Sequence, residues 1–317
     1  MFAYSNIRDK LKQIRLLLKD GKWKQVSFWD QDVLGYVAGL WYHLVVGNSG
    51  IYVMHKDWDN LIVLDACRYD LFKEVSGLNL EYKISRGSTT TEFLLENFSG
   101  RSYDNTVVVT ANPFVDKYVK NSFHKVIPVW KYDWDEHLNT VTPQTMLRYA
   151  LEAEQRFPDK RLIIWFMQPH RPFIASPELS PYGYKWSREI VEQGWASSPS
   201  SDPWSEVAKG NLQFDRVWNA YKANLEIVLP YAFECATKLK GKTIITSDHG
   251  NAYRRLLFPV PAKIAGHVAR IYIDELIKVP WLVFESPTRK EIKTGSRIEE
   301  KRIKIRIREL KRSGRLS

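Results

Sequence analysis

Leu61-Ile62-Val63-Leu64 contains no polar residue and then meets Asp65. Side chains of a strand alternate between its two faces, so an uninterrupted apolar run needs both faces covered. That is the condition of a parallel sheet sandwiched between helices. The pattern recurs at Thr106-Val107-Val108-Val109-Thr110, at Arg161-Leu162-Ile163-Ile164-Trp165-Phe166, at Lys242–Thr246 and at Val279-Pro280-Trp281-Leu282-Val283-Phe284. Pro280 has no N–H to give a neighbouring strand, which suggests an edge or a strand start. Residues 91–98, 143–155 and 214–239 read as the intervening helices. The expected fold class is therefore α/β, a mostly parallel central sheet with helices on both faces. At 317 residues the chain can build one large domain of this kind or two small ones.

Residues 1–58 read as a basic helical N-terminal extension, 59–286 as the main domain and 287–317 as a basic tail. The net charge of +11 is concentrated at these ends. Arg8, Lys10, Lys12, Arg15, Lys19, Lys22 and Lys24 interleave with Leu11, Ile14, Leu16, Leu17 and Leu18 at helical spacing. The tail from Arg289 to Arg315 mixes basic residues with Ile298, Ile303, Ile305, Ile307 and Leu310. Such segments are either solvated faces or interfacial anchors on an anionic membrane. Nucleic acid is the weaker partner, since a basic tail alone reads no sequence. Val33–Val46 is apolar but too short to span a bilayer, and no cleavable leader pattern opens the chain. The expected location is cytoplasmic, with peripheral contact at the inner membrane face. Two cysteines, Cys67 and Cys235, exclude a disulfide framework.

The ends of these strands carry the chemistry. Asp248-His249-Gly250 follows Ile244-Ile245-Thr246-Ser247, and Asp65 ends the first run. Gly87-Ser88-Thr89-Thr90-Thr91-Glu92 precedes a helix, Gln168-Pro169-His170-Arg171-Pro172-Phe173 follows the third strand, and Gly266-His267 lies downstream. Ligands of open α/β sheets bind at the carboxyl ends of strands. A carboxylate pair with an imidazole can hold a divalent cation, and a hydroxyl at a helix start can attack phosphorus or sulfur beside it. Each residue also has a plain structural role: Asp65 as a helix cap, Ser88–Glu92 as a capping box, His170 as a rigid loop residue and His267 as a turn cap.

These motifs, taken in order over roughly residues 58–286, resemble the alkaline phosphatase–sulfatase superfamily, in particular its sulfatase-like and phosphoglycerol-transferase-like branch. The resemblance implies an alkaline phosphatase-like catalytic domain over 59–286. It implies a metal held by Asp65, Asp248, His249 and the nucleophile. Thr90 is favoured as nucleophile, with Ser88 and Thr89 as alternatives. His170 resembles the histidine that contacts substrate oxygens, and His267 the one that binds a second metal or the leaving group. Arg68 is a candidate anion clamp by charge and position, while Ser88 and Asn112 join His267 as candidate substrate contacts. No Cys-x-Pro-x-Arg motif is present, which argues against formylglycine chemistry. Gln168 and Asn251 stand where many relatives carry acids, which weakens a two-metal site. His249 tilts the expected cofactor toward manganese or zinc over magnesium or calcium.

The function expected is metal-dependent hydrolysis or transfer of a phosphate ester through a threonine. The alternatives are sulfoester hydrolysis without formylglycine, or a decayed binding module of the same fold. Expected partners are a phosphorylated or sulfated small molecule, a glycan or a lipid head group. Specificity is expected in residues 112–140 and in an insertion at 175–210, which hold Trp130, Trp134, Trp186, Trp195 and Trp204.

Overall fold

The computed structural model describes Lys19, residues 31–182 and residues 202–294. The basic stretch 8–24 (Lys19 apart), the tail beyond residue 294, and Trp186 and Trp195 lie outside the described residues.

Nine strands are described, in chain order β1 (Asn60–Leu64), β2 (Glu81–Ile84), β3 (Tyr103–Thr110), β4 (Phe123–Pro128), β5 (Arg161–Phe166), β6 (Thr243–Thr246), β7 (Ala252–Leu256), β8 (Lys263–Gly266) and β9 (Lys278–Phe284). Seven form one sheet in the order β2-β9-β6-β1-β5-β3-β4, and β7 and β8 form a hairpin. β6, β1, β5, β3 and β4 are mutually parallel. β9 runs antiparallel to β6 and β2 antiparallel to β9. The sheet is thus mostly parallel, as the apolar runs require.

Two-sided burial is literal. Every residue of β1 is buried. Ile62 and Leu64 enter one core with Val107, Val109, Leu162, Ile164 and Phe166. Leu61 and Val63 enter the other with Val108, Ile163, Trp165 and Ile244. Each such side chain contributes about 1.5–3 kcal/mol of transfer free energy.

Eight helices matter to the layers. They are α1 (Gln31–Trp41), α2 (Tyr69–Ser76), α3 (Thr90–Phe98), α4 (Pro113–Val119), α5 (Pro143–Arg156), α6 (Pro203–Lys209), α7 (Phe214–Lys238) and the single turn α8 (Asp274–Ile277). Leu71 and Phe72 of α2, Met146 and Ala150 of α5 and Val217, Leu225 and Val228 of α7 cover the first core. Phe93 and Phe98 of α3 and Val115 of α4 cover the second. A third, smaller core joins Ala38 of α1 to Ala252 and Ile264 of the hairpin and to Ile271, Leu276 and Ile277.

One expectation changes. β9 lies inside the sheet, not at its edge. Its first half pairs only with β2, however, and pairing to β6 begins at Leu282, so Pro280 sits where one side of the strand is unpaired. Val53, Met54 and Trp58, which precede residue 59, are buried in the second core. The start of the C-terminal tail is fastened to the body. Arg289 pairs with Asp57 and Asp59, and Lys290 pairs with Glu154.

Because β1, β3, β5 and β6 are parallel, the loops that follow them emerge at one edge. Residues 65–70, 111–113, 167–174 and 247–251 therefore share that edge.

Candidate metal and nucleophile site

Asp65 stands immediately past β1. Its N–H donates to the Phe166 carbonyl at 3.3 Å, and its own carbonyl accepts from His170 N–H at 3.1 Å. Its Oδ2 accepts from Asn112 Nδ2 at 2.5 Å and from Trp165 Nε1 at 3.1 Å. Across the gap, Asp248 Oδ1 accepts from Ala66 N–H at 2.9 Å and from His249 N–H at 3.0 Å. Ser247 Oγ accepts from Cys67 N–H at 2.8 Å and lies 2.6 Å from the His249 carbonyl. The loops after β1 and β6 are thereby tied to each other by side chains. Ala66 takes a left-handed backbone, with φ of 55°, to make the turn.

The three neighbouring hydroxyls of the 88–90 loop have separate places. Ser88 Oγ lies 2.8 Å from Glu92 Oε2 and 2.9 Å from the Val268 carbonyl, and the residue is fully buried. Thr89 caps α3 by accepting from Glu92 N–H at 3.3 Å. Thr90, the first helical residue, points its hydroxyl at the metal-ligand candidates: Oγ1 is 2.7 Å from Asp248 Oδ2 and 3.1 Å from His249 Nε2. Ser88, Thr89 and Glu92 do the capping, and Thr90 faces the carboxylate and imidazole.

His249 Nδ1 is 2.7 Å from the Gly250 carbonyl. A carbonyl only accepts, so Nδ1 carries the proton, and in the neutral ring Nε2 presents a lone pair. Thr90 has one proton to share between Asp248 Oδ2 and His249 Nε2. The buried cluster of Asp65, Asp248 and His249, whose ligand atoms all lie within 4.8 Å of one another, thus holds more acceptors than donors. Burial and then the facing charge of Asp248 push the Asp65 carboxyl well above the usual carboxylate range, against the donors Asn112 and Trp165. Two buried carboxylates and an inward lone pair are the donor set a divalent cation satisfies. The residues fit the metal that the sequence implied.

The two remaining histidines complete the edge. The His267 ring centroid is 4.6 Å from that of His249 and 5.2 Å from that of His170. His170 Nδ1 is bonded to the Arg171 carbonyl at 2.8 Å, and His267 Nδ1 lies 3.1 Å from Asn251 Oδ1. Burial is the main reason both titrate well below the ordinary histidine value, reinforced at His170 by the positive charge of Arg171 and at His267 by the neighbouring rings of His249 and His170. Asn224 on α7 shapes the His170 loop: its amide donates to the carbonyls of Pro169, His170 and Pro172, and its Oδ1 accepts from Ile174 N–H. No periodicity announced this residue, because its role depends on a loop 50 residues away.

Several expected substrate contacts are placed otherwise. Arg68 makes a two-point pair with Asp70, donates to the Asn251 carbonyl at 3.0 Å and lies over the Trp218 ring. Its guanidinium fastens two loops together. Asn112 is spent on Asp65 and on capping α4 through Phe114 N–H, and the buried Ser88 is spent on Glu92. Gln168 turns its Nε2 to the Val141 carbonyl at 3.2 Å. Trp130 and Trp204 are buried and serve packing, not stacking on sugars.

Gly250 is a strict requirement of this geometry. A Cβ built there would lie 2.2 Å from the Glu275 carbonyl oxygen, which is backbone and cannot swing away. Gly250→Ala is expected to cost about 1–3 kcal/mol of stability by overpacking and to displace His249. Calorimetry should show a lower Tm together with weaker zinc or manganese binding. An unchanged metal affinity would contradict the placement of His249.

Neither a protein-family model nor a curated protein matches the chain. Solved structures do. The integral membrane lipooligosaccharide phosphoethanolamine transferase A of Neisseria meningitidis is 12% identical, with a TM-score of 0.44 over 72% of this chain and 47% of that one. The zinc complex of the C-terminal periplasmic domain of Escherichia coli EptC is 11% identical, with a TM-score of 0.42 over 76% of each chain. A protein of the alkaline phosphatase superfamily from Vibrio parahaemolyticus is 12% identical, with a TM-score of 0.36 over 82% of this chain and 70% of that one. The superfamily that the motifs resemble is thus represented among the similar structures. Nothing in the structure supports the expected cytoplasmic location. Among the described residues no helix is long and apolar enough to cross a membrane.

Proposed function

We propose that the chain is a metal-dependent transferase or hydrolase of phosphate esters, with Thr90 as its nucleophile. One observation carries this reading: Thr90 Oγ1 sits at the start of α3 within hydrogen-bond reach of both Asp248 Oδ2 and His249 Nε2. Asp65, Asp248 and His249, with Thr90 itself, would hold the metal. When bound, the divalent cation supplies positive charge that favours loss of the Thr90 proton and offsets charge on the ester oxygens.

The protein's own part is positional. Asp248 Oδ2 accepts the hydroxyl proton and orients Oγ1. Thr90 Oγ1 attacks phosphorus and displaces the ester oxygen, leaving a phosphothreonine. Water or an acceptor alcohol then takes the phosphoryl group and regenerates the hydroxyl. His170 and His267 line the far side; with Nδ1 of each ring facing an oxygen acceptor, the neutral rings offer their Nε2 lone pairs to protons of the substrate, the attacking water or the acceptor alcohol.

Metal analysis with an aryl phosphodiester assay tests the reading. The purified protein should carry one divalent ion and lose turnover on chelation. A metal-free protein that is inactive on every ester would favour the decayed binding module. Release of sulfate from an aryl sulfate, with no phosphate release, would favour sulfoester hydrolysis.

The substrate class expected is a phosphorylated head group or glycan near an anionic membrane surface. The charge of +11 supports this. So do Leu44, Val45 and Val46, which follow α1 at 77%, 65% and 49% exposure. Co-sedimentation with vesicles containing phosphatidylglycerol should exceed that with neutral vesicles and fall with added salt. Equal binding to both would remove the membrane from the model.

A further inference from the structure

A hydroxyl that attacks phosphorus has to be held at a fixed distance from the groups across the substrate from it. In this chain the two sides come from distant segments. Thr90 belongs to the turn that starts α3, and His267 follows β8. We propose that Glu92 is the positioning residue that keeps the Thr90 turn and the His267 segment in place against each other, with Tyr272 as its partner. This rests on the reading of Thr90 as the nucleophile.

One carboxylate receives donors from both segments. Glu92 Oε2 accepts from Ser88 N–H at 2.9 Å and from Arg270 N–H at 3.2 Å. Its Oε1 accepts from the Tyr272 hydroxyl at 2.6 Å. Burial, and then this bond, push the Tyr272 phenol up from its ordinary value, so the phenol keeps its proton and donates. Ser88 Oγ makes a second tie across the same gap, at 2.8 Å from Glu92 Oε2 and 2.9 Å from the Val268 carbonyl. Ser88 and Val268 are 180 residues apart in the chain.

Helix capping does not ask for this arrangement. In a capping box the third helical residue returns its side chain to the N–H of the cap. The cap of α3 is Thr89, yet Glu92 reaches past it to Ser88 and turns both oxygens toward donors of the 268–272 segment. Gly87 permits the reach. A Cβ there would lie 2.3 Å from the Phe93 backbone nitrogen, so the chain before Ser88 lies directly on α3. On the other side, Arg270 takes a left-handed backbone, with φ of 66°, where its N–H meets the carboxylate.

The contacts close into a circuit. Thr90 Oγ1 is 3.1 Å from His249 Nε2, and the His249 and His267 ring centroids are 4.6 Å apart. Val268 follows His267 directly, and Ser88 and Glu92 lead back from it to Thr90. Removing the Glu92 carboxylate deprives the Ser88 and Arg270 N–H groups and the Tyr272 hydroxyl of one shared acceptor. The turn that carries the nucleophile then loosens against the histidine side, and a misplacement of about 1 Å can cost roughly 100-fold in rate.

The test uses the full chain loaded with zinc. Hydrogen exchange at the Ser88 and Arg270 amides is followed by NMR, turnover on an aryl phosphodiester, metal affinity by calorimetry and Tm by thermal melts. Glu92→Ala should speed exchange at both amides and lower kcat roughly 10- to 100-fold, with KM and metal affinity little changed. Glu92→Gln should restore most of kcat. Its amide oxygen can take the two N–H groups while its nitrogen donates to the Tyr272 oxygen. Thr89→Ala is the stability control: it should lower Tm and largely keep kcat.

A kcat for Glu92→Ala equal to that of the unaltered protein would overturn the proposal. So would faster exchange at Ser88 with none at Arg270, which is the mark of a cap. An equal loss of kcat in Thr89→Ala would overturn it too, because both residues would then act through helix stability. If Glu92→Ala does not fold, Tyr272→Phe decides. It should speed exchange at Arg270 and lower kcat at unchanged KM, and an unchanged kcat would count against the proposal. Failure of the wider reading looks different: Thr90→Ala is then as active as the unaltered protein, and the tie seen in exchange at the two amides has no nucleophile to hold.

Discussion

Thr90→Ala is expected to lower turnover by roughly three orders of magnitude or more, the scale on which loss of a covalent nucleophile is felt. The fold should survive. Thr90 occupies the first turn of α3, but Thr89 is the residue that caps it. Deleting the Thr90 hydroxyl removes one bond to Asp248, worth about 1 kcal/mol. Thr89→Ala gives the reverse result: about 1 kcal/mol less stability from the lost cap, with turnover largely kept. Steady-state kinetics beside thermal melts of the two variants separates nucleophile from cap. If Thr89→Ala kills turnover and Thr90→Ala does not, the hydroxyl has been misassigned.

Asp248→Asn is the second large effect, and it divides metal binding from folding. Asn keeps an oxygen to accept from the N–H groups of Ala66 and His249, where Asp248 Oδ1 now sits. Its amide nitrogen would face Thr90 Oγ1 in place of Oδ2, so the shape survives and the charge does not. Metal affinity should fall by more than about 100-fold, beyond what loss of an outer partner costs, and turnover should fall with it. The metal-free variant should nonetheless melt higher than the metal-free unaltered protein. Removing one of two facing carboxylates relieves repulsion, and about 1 kcal/mol corresponds to roughly 2–4 °C in a protein of this size.

The pH dependence has a definite sign. A carboxyl raised in the folded state, as Asp65 is by burial and by Asp248, keeps a proton that the unfolded chain has already released. Stability of the metal-free protein should therefore fall as pH rises from the ordinary carboxylate value of 3.8 toward the raised one. Asp248→Asn should flatten that slope. A melt series across pH on chelated protein gives both readings. A lower Tm for the metal-free variant at neutral pH would show that the carboxylates are not in conflict.

The central strands were legible because burial on both faces leaves apolar runs, and β1, β3, β5, β6 and β9 fall where those runs lie. β2 was not. Glu81-Tyr82-Lys83-Ile84 is half exposed at the sheet edge and owes its extension to pairing with β9. β4 is buried only at its ends, Phe123 and Pro128, with four partly or fully exposed residues between, so it leaves no apolar run. In the site, Asp65, Asp248 and His249 could be named because strand ends in a parallel sheet share an edge. Among Ser88, Thr89 and Thr90 only the family resemblance favoured Thr90, since successive residues at a helix start point in different directions and their spacing alone does not separate them. Their choice depends on Glu92, Val268 and Asp248. Arg68 carried the right charge, but its partners Asp70 and the Asn251 carbonyl come from two loops that only the folded chain brings together.

The cross-tie between the loops after β1 and β6 also bears on when the nest can exist. Ala66 and Asp248 are 182 residues apart in the chain. Synthesis delivers Asp65 early and Thr90 soon after, but the second carboxylate and the imidazole arrive only with residues 248 and 249. A nascent chain that has not yet placed β6 holds one carboxylate and no chelate. On the proposed reading, metal capture would then be a late event, available only to a molecule whose central sheet has closed around β1.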